Sequence, residues 1–254
     1  MISVVIPVFN EEDNINPLYG ELKEILAKLP ENFEIIFIDD GSTDKTLTNL
    51  LNLYSKEENF HIIQFVEHFG KSAALTAGFK HATGEIIVTL DGDGQDIPSN
   101  IPLLLSSLTE DYDVICGWRY KRQDSGIKKF YSKAYNILSN IFSGIDIHDN
   151  NCMLRAYRKE VVSDLTLIKG AHRYLPTIIA SRGNRISEVK VSHRQRLSGK
   201  SKYGTKRLFK GFFDLLKFNF FWRKNYEEKT KKKNIYEIEK MYGFLSPTTS
   251  DRKL

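Results

Sequence analysis

Five short apolar runs, each closed by a polar turn, constrain this chain to one kind of fold. The runs are ISVVIPV (2–8), FEIIFI (33–38), HIIQFV (61–66), EIIVTL (85–90) and YDVICGW (112–118). Between them lie stretches 13–29, 43–56, 72–82 and 99–109, whose apolar residues recur at helical intervals. Strands alternating with helices predict an α/β fold: a doubly wound, mostly parallel sheet with flanking helices. In such sheets ligands bind beyond the carboxyl ends of the strands.

Those ends are polar here. Asn10-Glu11 follows the first run, Asp39-Asp40-Gly41-Ser42 the second, Glu67-His68 the third and Asp91-Gly92-Asp93-Gly94-Gln95-Asp96 the fourth. No apolar core tolerates unpaired carboxylates, so the acidic residues must lie at the rim. An Asp-x-Asp at a strand end presents hard oxygen ligands to Mg²⁺ or Mn²⁺, ions held by one or two carboxylates together with substrate phosphates. An isolated Asp-x-Asp reads more readily as a solvated turn. Asp39-Asp40 on the same edge tips the balance, because crowded carboxylates make sense when a cation completes the site. Gly92 and Gly94 add backbone freedom suited to close approach of a ligand.

Two nucleotide motifs fail. Gly70-Lys71-Ser72 lacks the P-loop glycine five places earlier, where Phe65 stands, and Gly92 and Gly94 lack a third glycine at Ile97. What remains at Gly70 to Ser72 is a helix start bearing a lysine, suited to an anion.

Beyond residue 118 the pattern changes to a helical stretch near 126–142, HDNNCMLRAYRKE (148–160), a helix at 171–182 and a strand-like RISEVKVSHR (185–194). RLSGKSKYGTK (196–206) has loop composition. TKRLFKGFFDLLKFNFFWRK (205–224) spaces Leu208, Phe209, Phe212, Phe213, Leu215, Leu216 and Phe220 helically among Lys206, Arg207, Lys210 and Lys217. Such a helix either lies in an anionic membrane interface or packs on the core. The expected organisation is a catalytic domain at 1–204, this C-terminal amphipathic helical segment at 205–223, and a charged tail at 224–254, partly disordered or used in oligomerisation.

The net charge of +5 arises with Lys and Arg crowded after residue 182, which points to an anionic partner. Cys116 and Cys152 show neither a disulfide framework nor metal-ligand spacing, in keeping with a reduced cytosolic setting. Ile2 to Ile6 reads as a strand with no basic n-region or cleavage site around it, and no run here reaches the ~18–20 apolar residues that span a membrane, so a secretory leader or a membrane span is not expected.

The segments VVIPVFNEEDNI, IIFIDDGSTDKT, EHFGKSAALTAGF, IIVTLDGDGQDIP, VICGWRYKRQDS, NNCMLRAYRKE and RLSGKSKYG stand in the order found in inverting GT-A glycosyltransferases. The chain most resembles their polyprenyl-phosphate branch, the dolichyl-phosphate mannose synthases and undecaprenyl-phosphate sugar transferases, over residues 2 to about 223. The resemblance implies transfer of a sugar from a nucleoside-diphosphate sugar to a polyprenyl phosphate, with inversion, by a peripheral protein on the cytoplasmic membrane face. It implies a nucleotide pocket of Pro7, Asn10, Glu11, Asp39, Asp40, Lys71 and Asp91, and a metal site of Asp91, Asp93 and Gln95 for Mg²⁺ or Mn²⁺. Arg119 resembles the family arginine that reaches acceptor or donor phosphate, or is a surface arginine; Arg196, Lys200 and Lys202 match the family's flexible acceptor-phosphate loop, or form a solvated basic loop. Lys128 and Lys129 stand before Ser132 where many relatives have an arginine, keeping charge without the bidentate fork.

Asp149 either orients the acceptor or sugar, or caps a turn and pairs with Arg155. His148, His172 and His193 lack metal-ligand spacing, and His193 reads as structural or as facing the acceptor. With Asp91, Asp93, Asp149 and Arg119 as the catalytic set, an already ionised acceptor phosphate has little need of a general base. Two rivals stand beside this reading: transfer to a saccharide hydroxyl with Asp149 or Asp96 as base, and a nucleotide-sugar-binding scaffold without turnover. Nucleic acid is not an expected partner; a membrane subunit or a second copy of the chain is.

Overall fold

A computed structural model describes residues 1–120, 140, 144–194 and 235–244. The amphipathic segment at 205–223 and the basic residues Lys128, Lys129, Arg196, Lys200 and Lys202 lie outside the described residues.

The five apolar runs all form strands: β1 (Ile2–Val8), β2 (Phe33–Asp39), β3 (Phe60–Phe65), β4 (Ile86–Thr89) and β5 (Val114–Arg119). The helices between them are α1 (Ile15–Leu26), α2 (Thr46–Tyr54), α3 (Lys71–His81) and, after a 3-10 turn at Pro98–Asn100, α4 (Ile101–Ser107). Three further strands, β6 (Arg155–Arg158), β7 (Ile186–Val191) and β8 (Ile238–Tyr242), complete one sheet in the order β7-β5-β6-β4-β1-β2-β3-β8. The short helices α5 (Lys159–Val162) and α6 (Leu175–Ser181) follow β6 and a 3-10 turn at Ala171–Tyr174.

Strands β1 to β4 and the pair β5–β7 run parallel, while β6 lies antiparallel between β4 and β5, and β8 antiparallel on β3. Because β6 reverses direction twice over, β5 and β7 point the same way as β1. The carboxyl ends of β1 to β5 and β7 therefore share one rim.

Alternation along the strands builds two apolar layers. Val4, Ile6 and Val8 pack with Ile15, Leu18, Leu22 and Leu26 of α1 and Ile101 and Leu104 of α4. Val5, Ile36 and Ile38 face α3 and α6 on the other side. Residues 72–79 of α3 are all buried, and a Cβ at Gly78 would lie 2.3 Å from Val5 Cγ1, so the helix lies hard against β1.

Two strands differ from what the sequence suggests. β6, RAYR, carries the fully buried Arg155, whose Nη2 donates to the Asn150 carbonyl at 2.7 Å. β8 falls inside the segment read as a charged tail. Its Glu239 and Lys240 are exposed, as one face of an edge strand allows, while Met241 and Tyr242 are half-buried.

The end of β8 is held by an aromatic clasp: the Phe244 ring lies 4.9 Å from His61 and 5.6 Å from His81. Burial pushes both imidazoles below their ordinary value of 6.5, against the pull of Glu34 on His61 and with that of Lys80 on His81. A folded-state pKa below the unfolded one gives stability that is complete above about pH 6.5 and is lost as pH falls through the folded values. Hydrogen exchange in Ile238–Tyr242, corrected for intrinsic rates, is therefore expected to lose protection between about pH 7.5 and about pH 5.5; unchanged protection would refute the clasp's dependence on neutral rings.

Candidate active site

The rim begins at β1. Pro7 is buried in mid-strand, and the Val8 carbonyl accepts from Asp40 N toward β2, so the N–H that Pro7 lacks faces β4, whose pairing has already ended at Val5↔Thr89. Asn10 follows with φ 52°, a left-handed turn that asparagine tolerates. Its Oδ1 accepts from Thr43 N at 2.8 Å, and its own N–H donates to Ser42 Oγ at 3.0 Å. The Glu11 N–H donates to Thr46 Oγ1 at 2.8 Å, and its carboxylate accepts from Asn14 Nδ2 at 2.7 Å. The turn after β1 is thus tied to the turn after β2.

Asp39 and Asp40 end β2, both buried. Asp39 Oδ1 accepts from Ser42 N at 3.2 Å. Asp40 reaches across to the turn before α3. Its carboxylate takes the Phe69 N–H at 2.8 Å and the Gly70 N–H at 2.9 Å, with His68 Nδ1 3.0 Å away, and so fixes the entry to α3. Burial pushes both carboxyls up, opposed by these hydrogen bonds.

That entry presents Lys71, whose Nζ lies 2.6 Å from Asp91 Oδ1 with both side chains partly exposed. The Asp91 N–H donates to Asp96 Oδ2 at 3.1 Å, and Asp93 Oδ1 accepts from Gln95 N at 3.1 Å. A Cβ on Gly92 would sit 2.5 Å from Val8 Cγ1, so its close approach is to β1 and not to a ligand; Gly94 supplies the left-handed turn, φ 70°. Asp96 is fully buried, and desolvation, reinforced by Asp91 and Asp93 and opposed by Arg119, pushes its carboxyl up to about 7.

A clamp that sequence reasoning missed holds this loop from outside. Arg194 Nε donates to the Gly94 carbonyl at 2.6 Å, Arg194 N donates to the Gln95 carbonyl at 3.2 Å, and His193 bridges Asp96 through the backbone. The Gln95 side-chain amide turns to the Arg194 carbonyl at 3.5 Å.

Across the rim, Arg119 at the end of β5 meets Asp149: Nε to Oδ2 at 2.6 Å and Nη2 to Oδ1 at 2.9 Å. The side chains are only 12% and 7% exposed. Asp149 also accepts from Asn151 N, so it does cap a turn, but its arginine partner is Arg119 and not Arg155. Buried charge makes this fork strong: the carboxylate raises Arg119 against the desolvation that would lower it, and the guanidinium stays protonated.

Among the described residues no three His, Cys, Asp or Glu side chains converge as a ready-made metal cage. Asp91 and Asp93 nevertheless fit a hard divalent ion of the kind completed by substrate phosphates and water. They are two carboxylates of one turn with oxygen donors, and a cationic ammonium already lies against Asp91.

Comparison with known proteins agrees with this geometry. The profile of Glycosyl transferase family 2 matches residues 3–166. The chain is 37% identical over 227 residues to a dodecaprenyl-phosphate galacturonate synthase of Rhizobium johnstonii, covering 87% of this chain and 67% of that protein. It is 34% identical over 217 residues to an undecaprenyl-phosphate 4-deoxy-4-formamido-L-arabinose transferase of Shewanella sediminis, covering 85% and 65%. The chain thus spans about two thirds of the length of these relatives. In fold it is similar to glucosyl-3-phosphoglycerate synthase from Mycobacterium tuberculosis, crystallised with Mn²⁺, uridine diphosphate and phosphoglyceric acid (TM-score 0.68, 19% identity, 86% and 78% coverage). It is also similar to a Pyrobaculum calidifontis mannosyltransferase in complex with GDP-Man and Mn²⁺ (TM-score 0.62, 20% identity, 86% and 62% coverage).

Proposed function

The chain belongs to glycosyl transferase family 2, and from that premise we propose that it moves a sugar from a nucleoside-diphosphate donor to the phosphate of a polyprenyl alcohol, with inversion at the anomeric carbon. One observation carries the reading: a carboxylate turn at Asp91 and Asp93 and a buried arginine fork at Arg119 share one rim, linked electrostatically through Asp96. A donor's leaving diphosphate needs the first, and an anionic acceptor needs the second. The names of the relatives, which act on dodecaprenyl and undecaprenyl phosphate, point the same way.

In this proposal Asp91, Asp93 and Gln95 would hold Mg²⁺ or Mn²⁺, and the ion would supply charge stabilisation for the leaving diphosphate. Lys71 turns from Asp91 to a donor phosphate. The turns of Pro7, Asn10, Glu11, Asp39 and Asp40 shape the nucleotide pocket through their mutual hydrogen bonds. Arg119 fixes the acceptor phosphate, joined by Lys128, Lys129, Arg196 and Lys202, so that a phosphate oxygen attacks in line. No helix among the described residues is long and apolar enough to cross a membrane, and attachment to the cytoplasmic face is peripheral in this reading.

The test is transfer by the purified chain from a panel of UDP-, GDP- and dTDP-sugars to polyprenyl phosphate with Mg²⁺ or Mn²⁺. The expected product is lipid-soluble and acid-labile. A sugar that reaches only a saccharide hydroxyl and stays in water would overturn the acceptor assignment.

In the same assay, Lys71→Met is expected to raise the donor KM by roughly tenfold while leaving the acceptor KM unchanged. An unchanged donor KM would remove Lys71 from the pocket.

A further inference from the structure

Beside the Arg119–Asp149 fork, on the opposite face of the sheet, lies an aromatic and cationic patch that the reaction itself does not use. Trp118, one residue before Arg119, stacks on His148 with centroids 4.0 Å apart and planes 12° apart. Tyr120 meets Trp118 edge-on at 5.3 Å and is 47% exposed. Lys190, the register partner of Trp118 on the neighbouring edge strand β7, places its ammonium 5.1 Å over the Trp118 ring and 4.6 Å over the Tyr120 ring. Glu188, two residues earlier on the same face, is taken up by His148. Among the described residues the patch therefore presents the Trp118 and Tyr120 rings with the Lys190 ammonium beside them.

We propose that this patch is a membrane-contact surface, in which the Trp118 and Tyr120 rings enter the interfacial region and Lys190 meets the phosphates of anionic lipids. Indole and phenol rings with a lysine beside them are the side chains that settle at the boundary of headgroups and acyl chains. Charge complementarity selects an anionic surface: the chain carries a net +5, and the sequence after β7 continues with Arg196, Lys200 and Lys202. Position supports the same occupant. Trp118 and Lys190 stand at the carboxyl ends of β5 and β7, so a lipid surface against the patch would bring lipid-borne phosphate to the rim that also carries Arg119. The proposal deepens the polyprenyl-phosphate reading and rests on it for the identity of the delivered phosphate, not for the contact itself.

Trp118 reports on its own contact, since the chain's two tryptophans are Trp118 and Trp222. In the 254-residue chain carrying Trp222→Phe, vesicles of phosphatidylglycerol and phosphatidylethanolamine without any polyprenyl phosphate, brominated in the upper acyl chain, are expected to quench Trp118 emission by at least about twofold and to shift it to the blue. Lys190→Gln is expected to weaken partitioning by about fivefold at low salt, and by less as ionic strength rises. Bound vesicles with unquenched Trp118, or no binding at all, would overturn the proposal. So would quenching that begins only when polyprenyl phosphate is added, which would assign the rings to the acceptor's chain. A parallel transfer assay in detergent separates the two readings: quenching without any lipid-linked product defeats the acceptor assignment alone, and product in detergent without quenching defeats the patch alone.

Discussion

Replacing Asp93 with asparagine is expected to lower sugar transfer on the order of 10³-fold at saturating donor, about 4 kcal/mol of transition-state stabilisation. The substitution keeps an oxygen that accepts the Gln95 N–H now bonded at 3.1 Å, so the turn retains its shape. What it removes is the negative charge that holds a divalent ion against the leaving diphosphate. Stability should move the other way. Asp93 and Asp91 both push against the buried Asp96 carboxyl, which sits at about 7, and removing one of these charges relieves that repulsion. The variant is therefore expected to melt at or above the parent temperature while its metal requirement rises. Chelation with EDTA should abolish transfer by the parent protein, and added Mn²⁺ should restore it. Transfer by the variant within tenfold of the parent at saturating metal would show that the ion, if bound, is held elsewhere.

The parallel half of the sheet is legible from sequence because its strands are buried on both faces and read as unbroken apolar runs. β6 and β8 escape that logic. In β6, Arg155 occupies a fully buried position that hydrophobicity assigns to the surface, and it does so by donating to a backbone carbonyl, an acceptor with no trace in the sequence. In β8, the exposed edge accepts Glu and Lys, so the strand resembles the charged segment around it. The site divides along the same line. Carboxylates at strand ends announce themselves, and the acidic turn and the Asp39-Asp40 pair both lie where their positions predict. Partnerships made over long separations do not. Arg194 grips Gly94 and Gln95 through main-chain carbonyls, and Asp149 chooses between two arginines by geometry that only the folded sheet supplies. The aromatic patch was equally hidden, because Trp118 and Lys190 become neighbours only when β7 pairs with β5.

That choice of arginine makes the second large effect. Asp149→Ala leaves the Arg119 guanidinium buried without its carboxylate, which costs about 3–5 kcal/mol, or a fall in melting temperature of roughly 10 °C for a domain of this size. Loss of activity in such a variant would say little alone. The informative partner is the double variant Arg119→Met with Asp149→Leu, in which an apolar pair replaces the ion pair. Stability is expected to return to within about 1 kcal/mol of the parent, because desolvating two charges offsets most of what their attraction gains. Transfer to polyprenyl phosphate should remain at least about 10²-fold down, because the acceptor has lost the Arg119 guanidinium. Arg119→Lys lies between: folded, charged, and with its defect confined to the acceptor KM while the donor KM is unchanged. A stable double variant with full transfer would reduce the Arg119–Asp149 pair to a structural tie and move the acceptor phosphate to another cation on the rim.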